Sequence, residues 1–407
     1  MPAPIYRKTG ECSMPKVSIL LPSLNVVRYI RPCLDSVLHQ TLTDLEILCI
    51  DAHSTDGTLD ILREYAQKDP RIRLILSDQK SYGHQMNLGL KAAQGEYIGI
   101  VETDDYVPAN MFGDLYAIAV QEQADMVKAD FYRFREVETR IERIYNRLDP
   151  TDSSYNRIVD PAREPRVFRL IMNTWSGIYS RAFLLQNGIV HNESPGASYQ
   201  DNGFWFQTFC CARRAYFVDR PYYMNRRDNA ESSVANPGKV FCMSEEWAFI
   251  YDWLKRDAER FGTFKGVYTL RKYHSLLFTY QRIAPAFREE FIRHFGSEMR
   301  RHLEAGEYDR TMFTGYEWRR LRMIAYSPDV YHGICTARCS HACVYRLITG
   351  LSARGKTCAC AFLRRADQLA NRLEMFLSWV HYAGLLRALH RVKWKNTRAS
   401  IDRGENK

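Results

Sequence analysis

A chain of 407 residues, 46% hydrophobic and 26% charged, has the composition of a folded globular protein, with room for two or three units of roughly 150 residues each. Its formal charge of +10 is one-sided: residues 331–407 hold 14 Lys and Arg against 4 Asp and Glu, so residues 1–330 are net neutral. That pattern points to one adhesive surface rather than a generally basic protein. The longest apolar stretch, "MFLSWVHYAGLL" at 375–386, is far short of the ~20 residues of a spanning helix. The opening "MPAPIYRKTGECSMPK" lacks the apolar core of an export signal, and a cytoplasmic location is expected.

Eleven cysteines, several within apolar strands such as Cys49 in "EILCIDA", fit reduced buried thiols better than a disulfide frame. Cys335, Cys339 and Cys343 recur every four residues near His341, Cys358 and Cys360. They lack the close pairing of a zinc knuckle and read as thiols on one helix face.

From Lys16 to about Phe134 short β-rich runs alternate with helical ones. "KVSILLP" reads as a strand, succeeded by a helix over 26–39 after Asn25, a good N-cap residue. "EILCIDA" is a second strand, and Ser54 or Asp56 caps the next helix. "RIRLILS" is a third strand, with a helix over 84–94 stopped by Gly95. "EYIGIVET" is a fourth; Pro108 opens a helix to about Gln123, and "DMVKADFYRF" is a fifth extended run. Residues 135–165, polar and rich in Arg, Asp and Pro, suggest a flexible or lid-like connection. Order resumes from 167, with a helix near Arg181, a polar loop over 191–200 and a helix that carries Asp201 near its start. Residues 240–325 read as helical and aromatic, and neither repeats nor low-complexity segments are present.

Continuously apolar strands separated by helices imply a mostly parallel sheet covered on both faces. Ligands of such sheets bind beyond the carboxyl ends of the strands. "LPSLN", "DAHSTDG", "SDQKSYGHQMN" and "ETDD" each come directly after one of the first four strands, so one edge gathers four polar clusters. The last packs Glu102, Asp104 and Asp105 into four residues. Such crowding costs repulsion and desolvation unless a cation or a donor-rich ligand compensates.

The opening "VSILLPSLNVVRYIRPCLDSVLHQTLTDLEILCIDAHSTDGTLDIL" and the motifs after it closely resemble family 2 glycosyltransferases, from Lys16 to about Asn229. The resemblance implies an α/β, Rossmann-like GT-A fold over 16–230, after a tail at 1–15. A helical domain at 231–330 and a basic amphipathic region at 331–407 would complete the chain. It implies nucleotide-sugar contacts from Pro22, Ser23, Asn25, Asp51, Ser54, Gly83, Asn87, Glu102 and Asp104. Asp51 at a strand end suits a base N–H, whereas Ser54 and Asp56 serve equally as caps. The family's Ala-Arg-Asn is Gln85-Met86-Asn87 here, without the Arg. "ETDD" takes the place of the Asp-x-Asp motif, with Asp104 and Asp105 as ligands of Mn²⁺ or Mg²⁺, hard cations that share carboxylates with substrate phosphates.

By the same resemblance the catalytic base lies in "YQDNGFWF", where Asp201 is the sole acid because Gln200 fills the partner position; an acid in a helix's first turn also serves as a capping charge. Trp175 stacks on an acceptor sugar or sits in the core. Arg226 and Arg227 offer guanidinium groups to a diphosphate. The activity implied is metal-dependent, inverting transfer of a sugar, from UDP in the first instance, to a hydroxyl of a polysaccharide or lipid-linked glycan. The competing readings are an inactive sugar-nucleotide-binding scaffold in a membrane assembly and a nucleotidyltransferase. The latter would need a glycine-rich basic loop after the first strand, which "LPSLNVVRYI" lacks. In "AFLRRADQLANRLEMFLSWVHYAGLLRALHRVKWK", residues 361–395, leucines recur at helical spacing beside arginines, with Trp379 and Trp394. Such a helix suits an anionic membrane surface and a peripheral location on the inner face of the membrane. No nucleic-acid module accompanies the charge.

Overall fold

The structure, a computed structural model, describes residues 14–138, 140–229 and 239–336. Four strands, β1 (Val17–Ser23), β2 (Leu45–Asp51), β3 (Ile72–Leu76) and β4 (Tyr97–Ile100), form a parallel half-sheet in the order β3-β2-β1-β4. Every residue of β1, β2 and β4 is buried, as expected of strands covered on both faces. Between them run α1 (Ile30–Leu38), α2 (Thr58–Lys68) and α3 (Tyr82–Ala92), with α4 (Met111–Gln121) after β4.

The second half of the sheet is mixed. β5 (Met126–Val137) pairs antiparallel with β6 (Arg140–Asn146), and β7 (Ile158–Val159) edges the sheet. β8 (Gly177–Ser180) lies antiparallel between β4 and β5, and β9 (Ala215–Arg226) runs parallel to β5. The span 135–165 is therefore no loose lid. β6 extends β5 into a hairpin, and the buried Asp130 carboxylate fastens the chain beyond it by accepting from Tyr145 Oη at 2.6 Å, Tyr155 Oη at 2.5 Å and the Leu148 amide at 2.7 Å. Polar composition suggested mobility because the partners of Asp130 lie 15 to 25 residues away.

After β8 come α5 (Arg181–Gln186) and α6 (Asp201–Cys211), then the helices α7 (Cys242–Lys255), α8 (Ala258–Arg282), α9 (Arg288–Glu304), α10 (Gly315–Tyr326) and α11 (Pro328–Thr336). α6 is the seam between sheet and helices, since Asn202 to Cys210 are all buried. Trp205 and Phe206 meet Phe168 at 5.8 and 5.7 Å between ring centroids, and Phe206 meets Trp247 of α7 at 5.7 Å. Aromatic burial of this kind carries the largest apolar area per residue and fixes α6 against both layers. Among the described residues no helix is long and apolar enough to cross a membrane. The basic stretch 361–395 and Cys339, Cys343, Cys358 and Cys360 lie outside the described residues.

Candidate active site

The ends of β1 and β2 are joined by their own polar groups. Ser23 pairs in register with Asp51, whose buried carboxylate accepts from the Ser54 amide at 2.8 Å, Ser54 Oγ at 2.7 Å and Ser23 Oγ at 3.1 Å. Ser54 Oγ in turn accepts from the Asn25 amide at 2.8 Å, and Asn25 Oδ1 from the Thr55 amide at 2.9 Å. Asn25 sits at φ +55°, a left-handed conformation that Asn tolerates better than most residues. Asn25 thus caps no helix: the N-cap of α1 is Tyr29, without a side-chain capping bond. Pro22 offers its carbonyl to Thr103 Oγ1 at 2.8 Å, and Gln85 donates to the carbonyls of Ser23 and Ile50 at 2.8 and 2.7 Å. Pro22, Ser23, Asn25, Asp51 and Ser54 are brought together, but the polar side chains among them are engaged by one another and by the adjoining backbone. The carboxylate of Asp51 faces the loops rather than open space, so what this edge offers a ligand is chiefly its backbone.

Gly83 and Asn87 serve a different contact. A Cβ on Gly83 would lie 1.8 Å from the Asn192 carbonyl oxygen, so only glycine permits α3 to approach the 191–193 segment. Asn87 brackets His191, donating to its carbonyl at 3.0 Å and accepting from its amide at 2.9 Å, and donates to Glu193 at 2.8 Å. Ser81 Oγ donates to the Ser194 carbonyl at 2.8 Å, and Gln200 Nε2 to the carbonyls of Ser194 and Gly196 at 3.0 and 2.9 Å. These bonds clamp the loop that delivers Asp201 and make Gln200 a loop fastener.

The acids after β4 divide by role. Asp105 is buried; it accepts from the Arg226 amide at 2.6 Å and Asn225 Nδ2 at 3.1 Å. Burial pushes its carboxyl well above the usual carboxylate range, with Asp104 adding to the shift. Asp105 is thus turned into β9 rather than toward a cation. Asp104 is partly exposed, with Oδ2 accepting from Asn229 Nδ2 at 2.9 Å. Glu102 Oε1 accepts from Tyr82 Oη at 2.7 Å, while the Glu102 amide donates to Tyr223 Oη at 2.9 Å. Burial pushes the Glu102 carboxyl up to about 8; the Tyr82 bond opposes this, and the charges of Asp104 and Asp201 add to it. Desolvation of a carboxylate favours its protonated form.

Asp201 occupies the first position of α6. Burial raises its carboxyl to about 6, and the amides of Asp201 and Asn202 pull against that rise. Its charge is felt by Glu102, Tyr82, Tyr199 and Glu246. The fold therefore unites acids about 100 residues apart at one edge of the sheet. Trp175 stacks on Tyr223 at 4.3 Å and meets Phe131 edge-on at 4.8 Å, so it buttresses the tyrosine that holds Glu102. Arg226 is buried and committed: it pairs with Glu136 and Asp228 at 3.0 and 3.3 Å and lies over the rings of Tyr29 and Phe134. The Arg227 side chain is exposed. Tyr82, Tyr223 and Asn225 escape detection in the sequence, Tyr82 although it lies inside a stretch singled out there, because neutral hydrogen-bonding groups carry no charge pattern. Glu246 escapes because it lies beyond the β-rich half.

Among the described residues no three His, Cys, Asp or Glu side chains assemble a cation site. The partly exposed carboxylate of Asp104 is of the kind that Mg²⁺ or Mn²⁺ takes, since these ions bind through one or two carboxylates together with phosphate oxygens.

Residues 18–184 match the family described as Glycosyl transferase family 2. The chain is 32% identical over 232 residues to an uncharacterized glycosyltransferase, EpsJ, of Bacillus subtilis (strain 168), a match that spans 56% of this chain and 65% of that protein. It is 42% identical over 94 residues to a chondroitin synthase of Escherichia coli, 23% of this chain and 14% of that one. The chain thus spans less than two thirds of either relative. In fold it is similar to S. aureus TarS residues 1–349, with a TM-score of 0.60 at 21% identity over 78% of this chain and 89% of that one; TarS has also been solved with UDP and with UDP-GlcNAc.

Proposed function

We propose that the chain, whose residues 18–184 match glycosyltransferase family 2, transfers a sugar from a UDP-sugar to a hydroxyl of a glycan or lipid-linked glycan. The observation that carries this reading is the meeting of Asp201, raised to about 6, with Asp104 and the Tyr82–Glu102 pair at the carboxyl edge of a parallel half-sheet. The nucleotide complexes of TarS lend support to UDP as the donor nucleotide.

Asp201, ionised above about pH 6, takes the proton of the acceptor hydroxyl as that oxygen attacks the anomeric carbon. The bond from that carbon to the nucleotide's phosphate oxygen breaks in line, so configuration inverts. A general base in this position contributes roughly 10²–10⁴-fold. Asp104 holds the diphosphate end, with Asn229 fixing one of its oxygens at 2.9 Å. A divalent cation bound there supplies positive charge to the departing diphosphate. Glu102, kept in place by Tyr82 and Tyr223, lines the floor between donor and base. The basic C-terminal stretch would hold the enzyme against an anionic membrane that presents the acceptor, and co-sedimentation with anionic vesicles, lost on truncation after Thr336, tests that part.

The test of the donor site is calorimetric titration of the protein with UDP in Mn²⁺ and in EDTA, repeated on Asp104→Ala. Micromolar binding that needs the metal and fails in the variant supports the reading. Absence of UDP binding both in Mn²⁺ and in EDTA overturns UDP as the donor nucleotide. Tight UDP binding without turnover of any UDP-sugar would favour the scaffold reading, for which the commitment of Arg226 to Glu136 and Asp228 is the supporting observation.

A further inference from the structure

α6 begins without the usual cap. Gln200 stands at the N-cap position but makes no side-chain capping bond, because its amide fastens the preceding loop. The first amides of a helix have no partner within it and need an acceptor. Of these, the Asn202 amide donates to the Tyr199 carbonyl at 3.0 Å, and the amides at Asp201 and Asn202 both draw the Asp201 carboxyl down. The third, at Gly203, donates at 2.8 Å to Glu246 Oε1, a carboxylate supplied by α7 of the helical region. Glu246 is 1% exposed, and its other oxygen accepts from Asn192 Nδ2 at 2.9 Å. Asn192 belongs to the segment that Asn87 and Gly83 clamp to α3. A Cβ on Gly203 would lie 2.3 Å from Glu246 Oε1, so the close approach depends on glycine at that position.

We infer that Glu246 is a positioning residue: it caps α6 from the helical region and thereby sets where the base Asp201 stands relative to the donor. This rests on the reading of Asp201 as base. An oxygen acceptor at a helix N-terminus satisfies amides that have no partner within the helix. Here that anchor joins three parts: α7, the loop at Asn192 and the helix of the base. Loss of the anchor frees the first turn of α6, and the acceptor's proton then has no fixed receiver, whereas the donor site at Asp104 is formed by other elements. Burial, with Asp201 adding to it, pushes the Glu246 carboxyl up to about 8. It is therefore mainly protonated near neutral pH, and an uncharged acceptor is a fair substitute for it. The helical region is on this account part of the catalytic apparatus and not merely an appendage to the sheet.

The test compares Glu246→Leu, Glu246→Gln and Gly203→Ala in the full chain. Three readouts are taken: hydrogen exchange of the peptide over 199–207, UDP affinity in Mn²⁺, and release of UDP from a panel of UDP-sugars. The Leu variant is expected to speed exchange in the first turn of α6 at least tenfold and to lower kcat at least tenfold, with UDP affinity within twofold of wild type. The Gln variant, which keeps an acceptor, should stay within threefold on all three. Gly203→Ala, which pushes the cap away without altering Glu246, should behave as the Leu variant does and serves in its place should that variant fail to fold. Wild-type exchange in both the Leu and Ala variants, wild-type kcat per folded molecule in both, or a Gln variant as damaged as Leu would each overturn the inference. Should exchange show the predicted order while wild type turns over no UDP-sugar, the cap stands, but the reading of Asp201 as base falls and with it the catalytic role of Glu246.

Discussion

The two halves of the carboxyl edge treat their polar residues in opposite ways. At β1 and β2, Asp51, Ser54, Ser23 and Asn25 satisfy one another at 2.7 to 3.1 Å, so the polar cluster is scaffold. Around β4, α6 and α7, Glu102, Asp201 and Glu246 are acids driven up in proton affinity by burial. Burying a carboxyl without a cation partner costs stability, and such groups cluster where chemistry is done. The contrast teaches that clustered acids in a sequence do not by themselves mark a site; what matters is whether the fold satisfies them.

Four changes put that contrast under pressure. The largest effect belongs to Asp201→Asn, which should cut transfer by roughly 10²–10⁴-fold while UDP affinity in Mn²⁺ stays at the wild-type level, as read by single-turnover assay and calorimetry. Next, Asp104→Ala should weaken metal-dependent UDP binding by about 10–100-fold, a loss of about 1.4–2.8 kcal/mol. Asp51→Ala should act on the scaffold: three donors lose their acceptor, for about 2–4 kcal/mol of stability. Denaturant titration would register it, and UDP affinity of the folded fraction should change little. An Asp51→Ala variant of full stability that no longer binds UDP would reverse the assignment.

The smallest effect is in pH dependence. The Glu246 carboxyl rises on folding from 4.5 to about 8, so the folded state binds its proton more tightly than the unfolded state does. Its contribution to stability is complete below about pH 4.5 and is lost as pH rises through about 8. Asp201, raised from 3.8 to about 6, acts in the same direction over a lower window. The groups facing Glu246 are Asp201 on α6 and Asn192 on the loop, with the buried, neutral His191 beside Asn192. Melting temperature should thus fall as pH rises from 5 to 9, and Glu246→Gln should flatten the slope. An unchanged slope would mean that Glu246 does not titrate in this way.

Much of the fold was legible because β1, β2 and β4 are buried on both faces and so read as unbroken apolar runs, and because Gly95 and Pro108 punctuate the helices between them. The site was legible as a set of positions but less so as a set of roles. Asp51 and Asp105 look like ligands in sequence, yet the first is closed off by Ser54 and Ser23 and the second by the Arg226 amide and Asn225, partners whose distance in the chain hides them. Arg226 presents the same problem, since Glu136 and Asp228 claim its charge from two separate segments. The order of residues 135–165 is hidden for the same reason: it depends on Asp130, whose apolar neighbours suggest only a strand. Glu246 was out of reach because its meaning comes from an amide 43 residues upstream, and only the packing of α6 against α7 brings the two together.

The claim on which the account turns is that binding the donor and activating the acceptor are carried by different acids. It is tested most directly by measuring UDP affinity in Mn²⁺ and UDP release from UDP-sugars side by side for wild type, Asp104→Ala and Asp201→Asn. The account predicts that Asp104→Ala loses both and that Asp201→Asn loses release alone. An Asp201→Asn protein that turns over at the wild-type rate, or that loses UDP affinity as fully as Asp104→Ala does, would contradict it.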